Sequence, residues 1–127
     1  VNELARDGHK VSRRNMMNPA EEPEVPYVTQ CLSPTEGPII AATDYIRAHT
    51  NQIREFMPRS FTVLGTDGFG RSDTRAQLRE FFEVDRRYVV LAAMTALADE
   101  GVVSRADVVK VMTDLGINPA KPDPTMV

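Results

Sequence analysis

The chain has 127 residues, 42% of them apolar and 26% charged, enough for one domain with its own core and too apolar for general disorder. A net charge of −3 with a pI near 5.4 gives no electrostatic case for nucleic acid or an anionic membrane. No apolar run approaches the roughly 20 residues that span a bilayer. The single cysteine, Cys31, has no disulfide partner in the chain and no CxxC companion for zinc, which points to a reducing cytoplasm.

Asn2 to about Met17 reads as a helix carrying Leu4, Val11 and Met16–Met17, with Gly8 expected to interrupt it and fray its second half. An opening that is already helical and lacks an initiator Met suggests a piece of a longer polypeptide. Residues 18–38 read as a Pro-rich extended connector. Within it, Asn18–Pro26 holds three prolines and three glutamates, Tyr27–Leu32 reads as a short edge strand or extended chain, and Ser33–Pro38 is a turn cluster.

Ile39–Thr43 is apolar without alternation, the pattern of a strand buried on both faces of a parallel sheet. Thr43 or Asp44 is expected to cap a helix running to Met57, where Pro58 stops it, with Ile46, Ile53, Phe56 and Met57 at helical spacing. Ser60–Thr66 supplies a second strand. Strand, helix and strand in that order predict a βαβ unit and an α/β fold with an open, mainly parallel sheet flanked by helices. Further on, Ser72 or Asp73 caps a helix bearing Leu78, Phe81 and Phe82. Asp85 opens another that closes at Gly101, and Ser104 with Asp107 forms a capping box for one that ends at Gly116. Residues 117–127 read as an extended tail with three prolines, closing a single domain over 1–127.

Chemistry-bearing residues are sparse. His9 and His49 have no ligand-spaced or base-spaced partner, and Cys31 has no histidine nearby in sequence. No catalytic, cofactor-binding or metal-ligating set can be assembled. The stretch that stands out is Gly65–Arg75, a Gly-rich loop between a strand and a helix. Its GxG lacks the third glycine of a dinucleotide fingerprint and the Gly-Lys-Ser/Thr of a Walker loop. Two readings remain for it. The amides of Gly68 and Gly70, with Arg71, could cradle an anionic ligand in a free-standing α/β module. In the other, Asp67 and Asp73 take those donors themselves, and Asp67, Gly68, Phe69, Gly70, Arg71, Ser72 and Asp73 form a structural corner that docks on a neighbouring domain.

Residues 63–90, VLGTDGFGRSDTRAQLREFFEVDRRYVV, and 43–58, TDYIRAHTNQIREFMP, resemble the homodimeric, bacterial-type pyruvate dehydrogenase component, a thiamine diphosphate enzyme of the transketolase-like family. NELARDG, VPYVTQ, ALADEGVVSRADV and GINPAKPDP extend the resemblance along nearly the whole chain. It implies a transketolase C-terminal-like domain with its first strand missing. The implied parent is an oxidoreductase that decarboxylates pyruvate and reductively acetylates the lipoyl group of a partner acetyltransferase. Its thiamine diphosphate and Mg2+ lie between other domains, across a homodimer interface, and none of the family's cofactor or metal residues maps here. By that resemblance the segment is inactive alone, binds no cofactor, and supports the dimer in the cytoplasm, with no nucleic acid or membrane as partner.

Overall fold

Two apolar runs become two parallel strands. A computed structural model describes residues 1–66, 77–78 and 81–124, with β1 at Ile39–Ala42 and β2 at Phe61–Leu64. They pair in the register Ile39↔Phe61 to Ala42↔Leu64 and form the sheet of the described residues. Helices flank the sheet, giving an open α/β fold. They are α1 (Asn2–Met17), α2 (Tyr27–Leu32), α3 (Arg47–Asn51) followed by a 3-10 turn (Arg54–Phe56), α4 (Arg86–Asp99) and α5 (Arg105–Asp114).

Side chains alternate across a strand, so Phe61 and Val63 share one face and Thr62 and Leu64 the other. Phe61 and Val63 join Ala5, Val28, Ile53 and Phe56 in the core, where α1, α2 and the 3-10 turn meet, with Ile39 and Ala41 packed at its border. Thr62 and Leu64 look toward α4 across an open cleft. β1 is less enclosed than its sequence suggests, since Ile39, Ile40 and Ala41 are half-buried and Ala42 is exposed.

Three expectations are corrected. Helix α1 runs through Gly8 without a break. Gly8 is buried, and a Cβ there would lie 2.4 Å from the Phe56 ring, so glycine serves close packing at this point. Residues 27–32 are a helix, not a strand. Their apparent alternation also places Val28 and Leu32 at i, i+4, and both turn toward the core. Pro26, at φ −56, leads into this helix; the Tyr27 N–H reaches Asp7 Oδ2 at 2.8 Å, and the Thr29 hydroxyl donates to the Phe56 carbonyl.

The third correction concerns the helix assigned to 43–57. Neither Thr43 nor Asp44 caps it. The Thr43 N–H instead continues the sheet to the Leu64 carbonyl at 2.9 Å, and α3 starts at Arg47 without a side-chain cap. The helix breaks at Gln52–Ile53, where Ile53 takes φ −99 and ψ 4, and Ile53 and Phe56 both lie in the core. Ile46, expected inside, is 47% exposed.

Elsewhere local signals hold. Asp85 caps α4 by accepting from Arg87 N at 3.0 Å and Tyr88 N at 3.3 Å. Ser104 and Asp107 make the reciprocal capping box of α5, and Gly101 and Gly116 end α4 and α5 at φ 77 and 69. Irregular chain is tied down by specific side chains. Arg14 holds Glu21 Oε2 at 2.6 Å and the Glu22 carbonyl at 2.8 Å. Arg59 donates to the Gly37 and Leu32 carbonyls and to Thr35 Oγ1.

Candidate functional site

Open parallel sheets place ligands and contacts at the carboxyl ends of their strands. Here the two chains leave β1 and β2 side by side. The Thr66 N–H donates to the Tyr45 carbonyl at 2.9 Å, and the Thr66 hydroxyl donates to the Asp44 carbonyl at 2.9 Å. Gly65 lies at the centre of this corner and is buried. A Cβ on it would sit 2.9 Å from both Arg47 N and the Tyr45 oxygen, which are backbone atoms with nowhere to retreat. Glycine is therefore required for the loop to leave β2 against the start of α3.

Beside Gly65 is a small pocket of about 100 Å3 lined by Arg47, Phe82, Glu83, Asp123 and Pro124. Glu83 occupies the left-handed region at φ 63, a conformation that side chains other than glycine adopt at a cost. Lys121 fastens the C-terminal segment there, donating to the Phe81 carbonyl at 2.8 Å and reaching Glu83 Oε1 at 3.3 Å. Pro124 is buried behind it. These contacts bring residues some forty positions apart to one corner. Nothing in their spacing announces it, because Lys121 falls in a Pro-rich stretch that reads as free tail.

The candidate loop residues Asp67, Gly68, Phe69, Gly70, Arg71, Ser72 and Asp73 lie outside the described residues; Gly65 and Thr66 show where the loop starts. The histidines are separately engaged. His9 Nδ1 lies 3.7 Å from Glu55 Oε1 with its ring edge-on to Phe56, whereas His49 stacks edge-on against Tyr45 and contacts Gln52. Cys31 is exposed on α2 one turn from Tyr27. Their hydrogen bond, then the negative charge of the Cys31 thiolate, then desolvation push the Tyr27 phenol above its ordinary value. Among the described residues no three of His, Cys, Asp and Glu converge as a metal-binding set. Among them, too, no helix is long and apolar enough to cross a membrane.

Two larger clefts flank β2. One of about 550 Å3 separates it from α4, and one of about 500 Å3 separates its edge from α3. The arrangement offers packing surface and a sheet edge.

Residues 2–85 match the family model described as the transketolase-like TK C-terminal domain, and the chain belongs to this family. Within it, the chain sits with the C-terminal domains of bacterial pyruvate dehydrogenase E1 components. It is 54% identical over 125 residues to the pyruvate dehydrogenase E1 component of Cupriavidus necator, which covers 98% of the chain and 14% of that protein. The Pseudomonas aeruginosa component is 50% identical over 124 residues, 97% of the chain and 14% of the relative. That of Escherichia coli K12 is 43% identical over 125 residues, again 98% and 14%. The chain thus spans about 14% of the length of the relatives it matches.

Proposed function

We propose that residues 1–127 act as one structural, subunit-supporting unit of a pyruvate dehydrogenase E1 component. The observation that carries this is the 54% identity to such a component across 98% of the chain. The reaction proposed for the whole enzyme is oxidative decarboxylation of pyruvate, dependent on thiamine diphosphate and Mg2+, with reductive acetylation of a lipoyl group on a partner acetyltransferase. The cofactor would supply the electron sink, and the protein binding and orientation. This chain's share is assembly surface, within a homodimer and beside the other domains of the polypeptide.

In this reading the 67–73 loop is a docking corner. Its anchor is Phe69, and Arg71 is its polar partner. The tight exit at Gly65, where a Cβ would meet the backbone of Arg47 and Tyr45, supports this reading. Two measurements test the proposal. The isolated chain, supplied with thiamine diphosphate and Mg2+, should reduce no dye with pyruvate, and turnover would sink the assembly role. In the full-length enzyme, Phe69→Ala should weaken the dimer, and unchanged dimer dissociation would remove the docking role.

A further inference from the structure

We infer that residues 118–124 form a strap latched by Lys121, and that the strap opens and closes the pocket at the carboxyl end of β2 without unfolding the amino-terminal core. The latch is one side chain. Lys121 Nζ donates to the Phe81 carbonyl at 2.8 Å, lies 3.3 Å from Glu83 Oε1 and sits 5.4 Å from the centre of the Phe81 ring. The side chain is 20% exposed, so the 81–83 turn has replaced most of its water. Beyond the latch the strap reaches the pocket, which Asp123 and Pro124 line together with Arg47, Gly65, Phe82 and Glu83.

The strap is built to move as a unit. Its own backbone bonds turn back on it, from the Lys121 N–H to the Asn118 carbonyl at 3.1 Å and from the Ala120 N–H to Asn118 Oδ1 at 2.9 Å. It hangs from Gly116, whose φ of 69 ends α5 and where an added Cβ would meet nothing within 4 Å. A glycine in open space absorbs a swing of the chain with little resistance. Pro119, Pro122 and Pro124 restrict the released strap, so less conformational entropy is lost each time it closes.

The turn that receives the latch favours release. Glu83 is held at φ 63, in the left-handed region that is costly for a glutamate, and opening lets it relax. Leu64 and Glu83 line both this pocket and the larger cleft toward α4. The turn is thus the partition between the two, and its release joins them into one groove along the end of β2. The amino-terminal core is assembled from residues between Leu4 and Val63, none of them on the strap.

Native-state hydrogen exchange, followed by NMR at low urea concentrations, tests this. Three amides report on different places. Phe82 donates to the Leu78 carbonyl in the receiving turn, Thr66 donates to the Tyr45 carbonyl beside Gly65, and Ile39 donates to the Ser60 carbonyl at the opposite end of the sheet. In the parent chain Phe82 and Thr66 should exchange through openings that urea barely promotes, whereas Ile39 should follow urea as global unfolding does. Lys121→Met keeps an unbranched apolar stem and loses the ammonium. It should speed exchange at Phe82 and Thr66 about tenfold, the scale of one charge-assisted hydrogen bond. A urea dependence at Phe82 or Thr66 equal to that at Ile39 would overturn the inference, because the corner would then open only with the whole fold. Unchanged exchange at Phe82 and Thr66 in Lys121→Met would overturn it too, since the latch would then stay shut when the corner opens.

Discussion

Replacing Gly8 by Ala should destabilise the fold, although in an ordinary helix interior the same change stabilises by about 1 kcal/mol. The added Cβ would lie 2.4, 2.5 and 2.6 Å from Cε2, Cζ and Cδ2 of Phe56. Carbon atoms in good contact sit about 3.5–4.0 Å apart, so the ring or the helix must move by about 1 Å. The ring is only 6% exposed, packs in the core with Ile53 and Phe61, and carries His9 edge-on at 5.3 Å. Overpacking of such a core costs about 1–3 kcal/mol. With three contacts this short the cost falls at about 2–3 kcal/mol, so after the propensity gain the net loss is about 1–2 kcal/mol, or a fall in Tm of about 3–8 °C for a domain of this size. Urea unfolding followed by circular dichroism measures it. Phe56→Leu removes Cε2 and Cζ, two of the three clashing atoms, so Gly8→Ala should cost less in that background. A single Gly8→Ala variant as stable as the parent would refute the packing argument.

Gly65→Ala should be worse, by at least about 2–3 kcal/mol, because two of its clashes are with backbone atoms; a thermal melt within a degree of the parent would contradict this. Arg59→Ala removes three donated hydrogen bonds to Gly37, Leu32 and Thr35 and should cost about 1–2 kcal/mol in urea unfolding. Arg59→Lys should recover less than half of that, since an ammonium cannot match the fork. The Tyr27 phenol should ionise above the ordinary tyrosine value near 10, and Cys31→Ala should bring it back toward that value in an alkaline titration followed by tyrosine NMR. Because the folded state holds this proton more tightly, its contribution to stability is complete below the unfolded pKa. It is lost as pH rises through the folded one.

How much of the fold is legible in the sequence depends on the range of each signal. Asp85, Gly101, Ser104 with Asp107, and Gly116 act on their own neighbours within a few positions, and their roles can be read directly. The two parallel strands are readable from the apolar runs at 39–43 and 60–66. Tyr27–Leu32 is misread because a six-residue segment fits either period, and the choice is made by Phe56 and Asp7, which are distant in sequence. Gly8 is misread for the same reason: its requirement is imposed by a ring 48 positions away. The break at Ile53 has no glycine or proline between 47 and 57 to announce it, and Ile53 and Phe56, three positions apart, both still reach the core. Of the site, the glycine-rich stretch is conspicuous from its composition. Glu83 with Lys121 at the corner leaves no local trace.

The fastening of Lys121 to Phe81 and Glu83 also sets an order of events. Its partners lie about 40 positions upstream, so during synthesis the corner beside Gly65 stays ajar until that lysine has cleared the ribosome. By then the Asn15–Glu24 and Arg14–Glu21 ties, which span fewer than ten residues, have long been able to close. The amino-terminal layer can thus mature while the chain is growing. The strand-end corner is a late closure, and a ribosome-stalled chain lacking Lys121 should expose it to protease.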